Sequence, residues 1–236
     1  MDDAVLFRSI CKKNGYDVSD QQLELLQSYV RSLLEWNQKI NLISRKDSDH
    51  IWTRHVLGSI ALLFQFQFLP NSSIIDIGTG GGLPGIPLGI LSENLEVTLI
   101  DSIQKKIRAV SEIISSQNFG RIKALSGRVE ELNRVPPLHH AFDYVIARGV
   151  GAISDLVKWT TPLLRPSSPA QVKASASARK WLKKGSIILL KGGDLTLELE
   201  QARVKQKPRE IEQYPLIVDG IDPTEFVEKK IVIIRP

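Results

Sequence analysis

Apolar residues in the first third of the chain recur at helical spacing, and from Ile74 onward they gather into short runs separated by turn signals. A short opening helix is predicted over residues 4–13 and stops at Asn14-Gly15. Ser19 or Asp20 can cap a second helix. Its Leu23, Leu26, Val30, Leu33 and Leu34 fall at i, i+3, i+7, i+10 and i+11, a single buried stripe. Trp36-Asn37 and Asn41-Leu42 lead out into a loop, and a further helix is expected over 48–66, burying Val56, Ile60 and Phe64.

After Ile74 strands and helices alternate. Strand 74–77 precedes a helix near 84–92, whose Pro84 and Pro87 are tolerated only in its first turn. Strand 96–100 precedes helix 103–117, with Ile103, Ile107, Val110 and Ile114 inward. Strand 121–125 leads to a single helical turn within 127–132, and strand 142–147 leads to helix 153–164. Residues 166–185 read as an insertion, after which strand 187–191, helix 195–204 and strands 211–218 and 226–234 complete the pattern. Repeated βα units closing on two consecutive strands predict an α/β fold, a doubly wound and mostly parallel seven-stranded sheet with an antiparallel final hairpin. The helices before the first strand cannot join that alternation. They are expected to form an N-terminal helical cap over 1–70, on a domain of 71–236 that carries the 166–185 insertion.

The chemistry gathers where the first strand ends, at Asp76-Ile77-Gly78-Thr79-Gly80-Gly81-Gly82-Leu83-Pro84-Gly85. Gly80, Gly82 and Gly85 satisfy the G-x-G-x-x-G pattern of dinucleotide folds. Asp76, Gly78, Gly80 and Gly82 also satisfy D-x-G-x-G-x-G. A helix N-terminus favours a pyrophosphate, but a carboxylate beside it repels one. S-adenosylmethionine has no phosphate, and its sulfonium and ammonium suit an acidic neighbour. The next strand ends in Asp101, placed to bind both ribose hydroxyls of an adenosine or to cap the helix that follows. Together Asp76 and Asp101 favour S-adenosylmethionine.

Composition narrows the setting. The 236 residues suffice for one large domain, and 42% hydrophobic with 24% charged residues is ordinary for a globular chain. One cysteine excludes a disulfide framework and an all-cysteine metal site, and no metal is expected. The acidic start Met1-Asp2-Asp3 is unlike a signal peptide, and no apolar run approaches a membrane span. A cytoplasmic monomer with no membrane partner is expected. The net charge of +5 is uneven: residues 165–209 hold 11 Lys and Arg against three acids. That stretch, Arg179, Lys180, Lys183 and Lys184 among it, is either an RNA-binding face or a solvated basic surface.

The chain resembles the bacterial glucose-inhibited division protein B family, small-subunit ribosomal RNA guanine-N7 methyltransferases. The matching residues are Trp36-Asn37-x-x-Ile40-Asn41-Leu42, Arg54-His55-x-x-x-Ser59, the glycine loop with its extension Gly85-Ile86-Pro87, Asp101-Ser102, Arg128-Val129-Glu130-Glu131, Ala147-Arg148 and Leu190-Lys191-Gly192. Two departures stand out. Gly58 occupies a position where the family usually has Asp, and the 166–185 stretch is longer than the family pattern. The resemblance implies a class I S-adenosylmethionine-dependent, Rossmann-like methyltransferase acting on N7 of guanine 527 in 16S ribosomal RNA, on the free RNA, the small subunit or an assembly intermediate. It also implies a cofactor site of Asp76, Gly78, Gly80, Gly82, Leu83 and Asp101, with Val129 and Glu130 around the adenine and Arg148 near the methyl. Arg148 and Asn41 would be catalytic. Arg54, His55, Arg128 and Lys191 would join the basic stretch in binding RNA.

Each assignment has a plainer counterpart: a surface salt bridge for Arg148, a solvated helix acid for Glu130, a packed or capping histidine for His55, and structural roles for Asn41, Arg54, Arg128 and Lys191. Guanine N7 has a free lone pair, so in-line transfer needs positioning more than a base. Cys11 lies in the opening helix, far from the glycine loop, and Ala147-Arg148-Gly149 replaces the Asn/Asp-Pro-Pro-aromatic sequence of amino-group methyltransferases. The competing readings are a nicotinamide-dependent oxidoreductase and a non-catalytic RNA-binding or ribosome-assembly module on the same scaffold.

Overall fold

The computed structural model describes residues 3–92, 94–166 and 179–236. Helix α1 (Asp3–Lys13) is followed by α2 (Asp20–Lys39). Ser19 caps α2 through a reciprocal pair of bonds with Gln22, so two orphan N–H groups of the first turn are satisfied together. Trp36 and Asn37 remain helical, because α2 runs on to Lys39. The single helix expected over 48–66 is instead a broken run: a 3₁₀ turn (Arg45–His50), a π-helical segment (Ile51–Leu57) and two short α-helical pieces (Gly58–Ile60 and Leu62–Gln65).

The alternating part follows in order as β1 (Ser72–Ile77), α3 (Gly85–Leu91), β2 (Leu95–Asp101), α4 (Gln104–Ser116), β3 (Ile122–Ser126), α5 (Val129–Leu132), β4 (Tyr144–Arg148), α6 (Ile153–Thr160), β5 (Ser186–Gly192), α7 (Thr196–Gln206), β6 (Glu210–Pro215) and β7 (Lys229–Arg235). One seven-stranded sheet has the order β3-β2-β1-β4-β5-β7-β6. The first five are parallel, and β7 runs antiparallel to both β5 and β6. Phe66–Gln67 and Lys180–Trp181 form a separate two-stranded parallel pair. Of the expected insertion, residues 167–178 lie outside the described residues.

Strict alternation of buried side chains explains why both faces are covered. Ile74, Val97, Leu99, Tyr144, Ile146, Ile188 and Leu190 face one core, shared with α1, α2 and the broken helical run. Ile75, Ile77, Ile100, Val145, Ala147, Ile187 and Leu189 face the other, beneath α6 and α7. On α4 the inward residues are Ile107, Ala109, Val110 and Ile113; Ile103 lies just before the helix and is 41% exposed, contrary to the inward position its spacing suggests. The same parity puts Asp76 and Arg148 on the first face, at the C-terminal ends of neighbouring strands: Asp76 registers with Ile146, and Arg148 follows two residues later. The N-terminal helices therefore shape the sheet edge where a ligand of a doubly wound fold binds.

Candidate active site

The glycine loop is tied down by two carboxylates. Asp76 is fully buried, and its Oδ2 accepts from Thr79 Oγ1 at 2.6 Å and from the Gly85 amide at 3.0 Å. Burial pushes its pKa up to about 7, against the pull of those two donors. Oδ1 is buried with no partner among the described residues. Asp76 thus holds the loop onto α3 from beneath. Asp101 clasps it from the side: Oδ2 accepts from the Gly80 amide at 3.0 Å and Oδ1 from the Ile103 amide at 2.8 Å. A turn leading into α4 and the bracing of the loop are combined in one carboxylate, which is not itself the helix cap, and each oxygen keeps a second lone pair.

The loop admits no side chains where it turns. Gly78 has φ +66°, and a Cβ there would lie 2.5 Å from Val150 Cγ2. At Gly85 a Cβ would meet Leu99 Cδ2 at 2.2 Å. Gly80 differs: a Cβ would meet only the Leu42 carbonyl, at 3.5 Å, so the chain is open beside it. This open backbone between Asp76 and Asp101 is a cradle suited to an adenosine-bearing ligand without phosphate. From the helical side, buried Tyr29 donates to the Gly81 carbonyl at 2.8 Å. Asn37 Oδ1 accepts from the amides of Leu42 and Ile43 at 2.9 and 3.0 Å, which sets Asn41–Ser44 against the loop.

Beyond the loop, Arg148 lines a cavity of about 740 Å³. Its Nη1 donates to the His55 carbonyl at 3.2 Å, and Nη2 bonds His55 Nδ1 at 2.9 Å. Burial, reinforced by the Arg148 charge, pushes His55 down to about pH 4, so its imidazole is neutral and Nδ1 accepts. His55 Nε2 faces Asp47 Oδ2 at 3.7 Å. Arg54 bridges Asp47 (3.0 Å) and Glu225 (3.2 Å), joining the helical run to the turn before β7. Leu190, Leu216 and Phe226 supply apolar wall, and Lys191, Lys229 and Lys230 supply charge.

The family described as rRNA small subunit methyltransferase G matches residues 22–218. The chain belongs to that family. A relative of that name from Chlorobaculum tepidum is 35% identical over 99% of this chain and 98% of its own length. One from Chlorobium phaeobacteroides is 36% identical over 97% of this chain and 94% of its own. Among solved structures, a predicted O-methyltransferase from Agrobacterium tumefaciens superposes with a TM-score of 0.53 at 16% identity, covering 76% of this chain and 79% of its own, a likeness of fold. Methyltransferase activity and S-adenosylmethionine as methyl donor follow from this membership, and the oxidoreductase reading falls. The cradle is compatible with that cofactor: each Asp101 oxygen keeps a lone pair for a further donor, and no phosphate has to approach buried Asp76.

The remaining residues implied by the resemblance to this methyltransferase family are scattered. Leu83 and Val129 are buried. Glu130 is partly exposed and paired with Arg128 at 3.5 Å, and it borders a second cavity with Trp159 and His139. Asn41 is exposed beside Lys46 and Lys106 in a third cavity, and it does not line the one holding Arg148. Lys191 Nζ donates to Glu198 Oε2 at 2.8 Å and to the Gly151 carbonyl at 2.7 Å, so it ties β5 to α6 and α7. Arg179, Lys180, Lys183 and Lys184 precede β5 and lie at the opposite sheet edge, where strands begin. Five to seven residues of strand separate the edges, roughly 15–20 Å. There Lys184 and Arg165 pair with buried Asp143 at 3.2 and 3.0 Å, Arg179 stacks on Tyr16 and Lys180 on Tyr214. Asn37 and Tyr29 are positioning residues the sequence did not single out for chemistry. A polar residue on a buried helical stripe is the available signal, and Asn37 fits it.

Proposed function

We propose that the protein transfers a methyl group from S-adenosylmethionine to N7 of a guanine in 16S ribosomal RNA, at guanine 527, within the small subunit or its precursor. The observation that carries this reading is Arg148, a fixed cation in a cavity beside the cofactor cradle whose two acids, Asp47 and Glu225, are both tied to Arg54. His55 spends its only acceptor nitrogen on Arg148. Cys11 is buried in α1, and burial pushes its thiol up to about 12. An acceptor atom that carries its own lone pair suits such a site. When bound, the cofactor supplies an electrophilic sulfonium methyl. The chain's part is orientation: Asp101 and the open backbone at Gly80 hold the adenosine end, and Arg148 presents a planar fork to a carboxylate or to guanine O6. Apolar Leu190, Leu216 and Phe226 flank the base and exclude water. Alignment of this kind accounts for up to roughly 7–11 kcal/mol of barrier.

Methylation of small subunits with labelled S-adenosylmethionine, followed by cleavage at N7-methylguanine, tests the reading. A single labelled guanine at position 527 is expected. Label at an exocyclic or ring carbon position, or RNA binding without transfer, would replace it with another reading.

A further inference from the structure

The 11 basic residues of 165–209 are the obvious RNA-binding surface in the sequence, yet the fold spends much of that charge internally. Lys184 and Arg165 neutralise Asp143, Lys191 neutralises Glu198, and Arg179 and Lys180 cover aromatic rings. The group at 179–184 also sits at the strand-start edge, away from the cofactor cradle. Three lysines at the other edge differ. Lys46, Lys106 and Lys229 make no ion pair or side-chain hydrogen bond among the described residues, and each borders a cavity at the strand ends.

These two cavities are connected by one stretch of chain. Asn41 through Ser44 and Lys46 line the smaller, about 520 Å³, together with Lys106. Asp47, Arg54, His55 and Gly58, the next residues along, line the larger with Lys229. The glycine loop touches both linings: the Leu42 carbonyl of the smaller faces Gly80, and Val150, next to Gly149 of the larger, packs on Gly78. The smaller cavity has two cations and no acid along its lining. The larger has five cations, Arg54, Arg148, Lys191, Lys229 and Lys230, against Asp47 and Glu225.

We infer that the phosphate backbone of the RNA substrate runs along this stretch, gripped by Lys106 and Lys46 on one side of the cofactor loop and by Lys229 on the other, and not by the 179–184 group. The inference rests on the reading of the protein as an RNA methyltransferase and names the surface that reading leaves open. A strand held on both sides of the loop presents the base between its two anchors to Arg148. Backbone contacts of this kind fix register without reading sequence.

The test is the salt dependence of binding to deproteinised 16S ribosomal RNA, with the unaltered protein first shown to bind and methylate it. Each phosphate contact to single-stranded nucleic acid contributes about 0.7 to the slope of log affinity against log salt. The triple variant Lys46→Gln/Lys106→Gln/Lys229→Gln should lose about 2 from that slope while its affinity for S-adenosylmethionine is unchanged. The pair Lys180→Gln/Lys183→Gln should leave the slope as it was. An unchanged slope in the triple variant, or a per-charge loss as large in the pair, overturns the assignment of the surface. If the unaltered protein does not bind and methylate the deproteinised RNA, small subunits take its place in the same titrations; if it methylates neither, the enzymatic reading itself fails and takes this surface with it.

Discussion

Arg148 Nη2 donates to His55 Nδ1 at 2.9 Å, so the cation of the site is oriented by a neutral imidazole rather than by a carboxylate. The two residues come from different parts of the fold, the last position of β4 and the π-helical segment, 93 residues apart in sequence. His55→Phe removes the acceptor and leaves the guanidinium only the main-chain carbonyls of Arg54 and His55. Loss of a hydrogen bond to a charged group costs about 1.5–3 kcal/mol. Methyl-transfer kcat/KM should therefore fall by tenfold or more, and His55→Asn, which keeps an acceptor, should recover part of the loss. Equal activity in the Phe variant would show that the main-chain bonds suffice.

His55 and Asp76 make opposing contributions to stability over nearly the same pH range. His55 is pushed below its ordinary value, to about 4, by burial and by Arg148. The unfolded chain then binds more protons between pH 4 and 6.5, and His55 makes stability rise with pH there. Asp76 is pushed up to about 7 by burial. The folded chain binds more protons between pH 4 and 7, and Asp76 makes stability fall as pH rises through 7. Each single variant should unmask the other group. Urea unfolding of Asp76→Asn should show stability climbing from pH 4 to 6.5 relative to the parent, and His55→Asn should show it declining from pH 4 to 7. Parallel curves in all three proteins would dismiss both shifts.

Asp101 anchors two amides as well as facing the cradle. Asp101→Ala strands the N–H groups of Gly80 and Ile103, each at a cost of about 1–3 kcal/mol if it finds no other partner. It should weaken S-adenosylmethionine binding well over tenfold and also lower the melting temperature. Asp101→Asn keeps an acceptor for one amide and should separate the effects, losing affinity with a smaller loss of stability. Calorimetric titration beside a thermal melt distinguishes the two. If Asn binds the cofactor as the parent does, the carboxylate serves the loop alone.

The succession of strands along the chain was legible because a sheet covered on both faces needs near-continuous apolar runs, and Tyr144–Ala147 and Ile187–Leu190 are such runs. The glycine loop was legible because few other uses explain four glycines after a strand-end carboxylate. Less visible was the broken helical run, whose Arg54 is held by Glu225, 171 residues away, a contact local periodicity does not encode. The placement of the basic stretch was hidden for a related reason. Charge counted along a sequence carries no information about which sheet edge it reaches, and Asp143 consumes two of its cations from a strand start.

Gly58 gives the sharpest test of how Arg148 is held. A Cβ at this position would lie 3.8 Å from Arg148 Nη1 and 3.3 Å from Phe226 Cε1. Gly58→Asp therefore places a carboxylate next to the guanidinium, where the resemblance to the family leads one to expect it, if the Phe226 ring yields by a few tenths of an ångström. Arg148 has no carboxylate within ion-pair distance among the described residues, so the new pair has no rival. In the parent background the substitution should change kcat/KM little, because His55 already orients Arg148 and the added pair supplies the same restraint. In the His55→Phe background it should restore much of the lost activity, since a charge-assisted bond is at least as strong as the one removed. Measuring both backgrounds gives a double-mutant cycle with a coupling of about 1 kcal/mol or more. Additive effects would mean that position 58 and His55 do not act through Arg148, and the view of His55 as its positioning residue would be withdrawn.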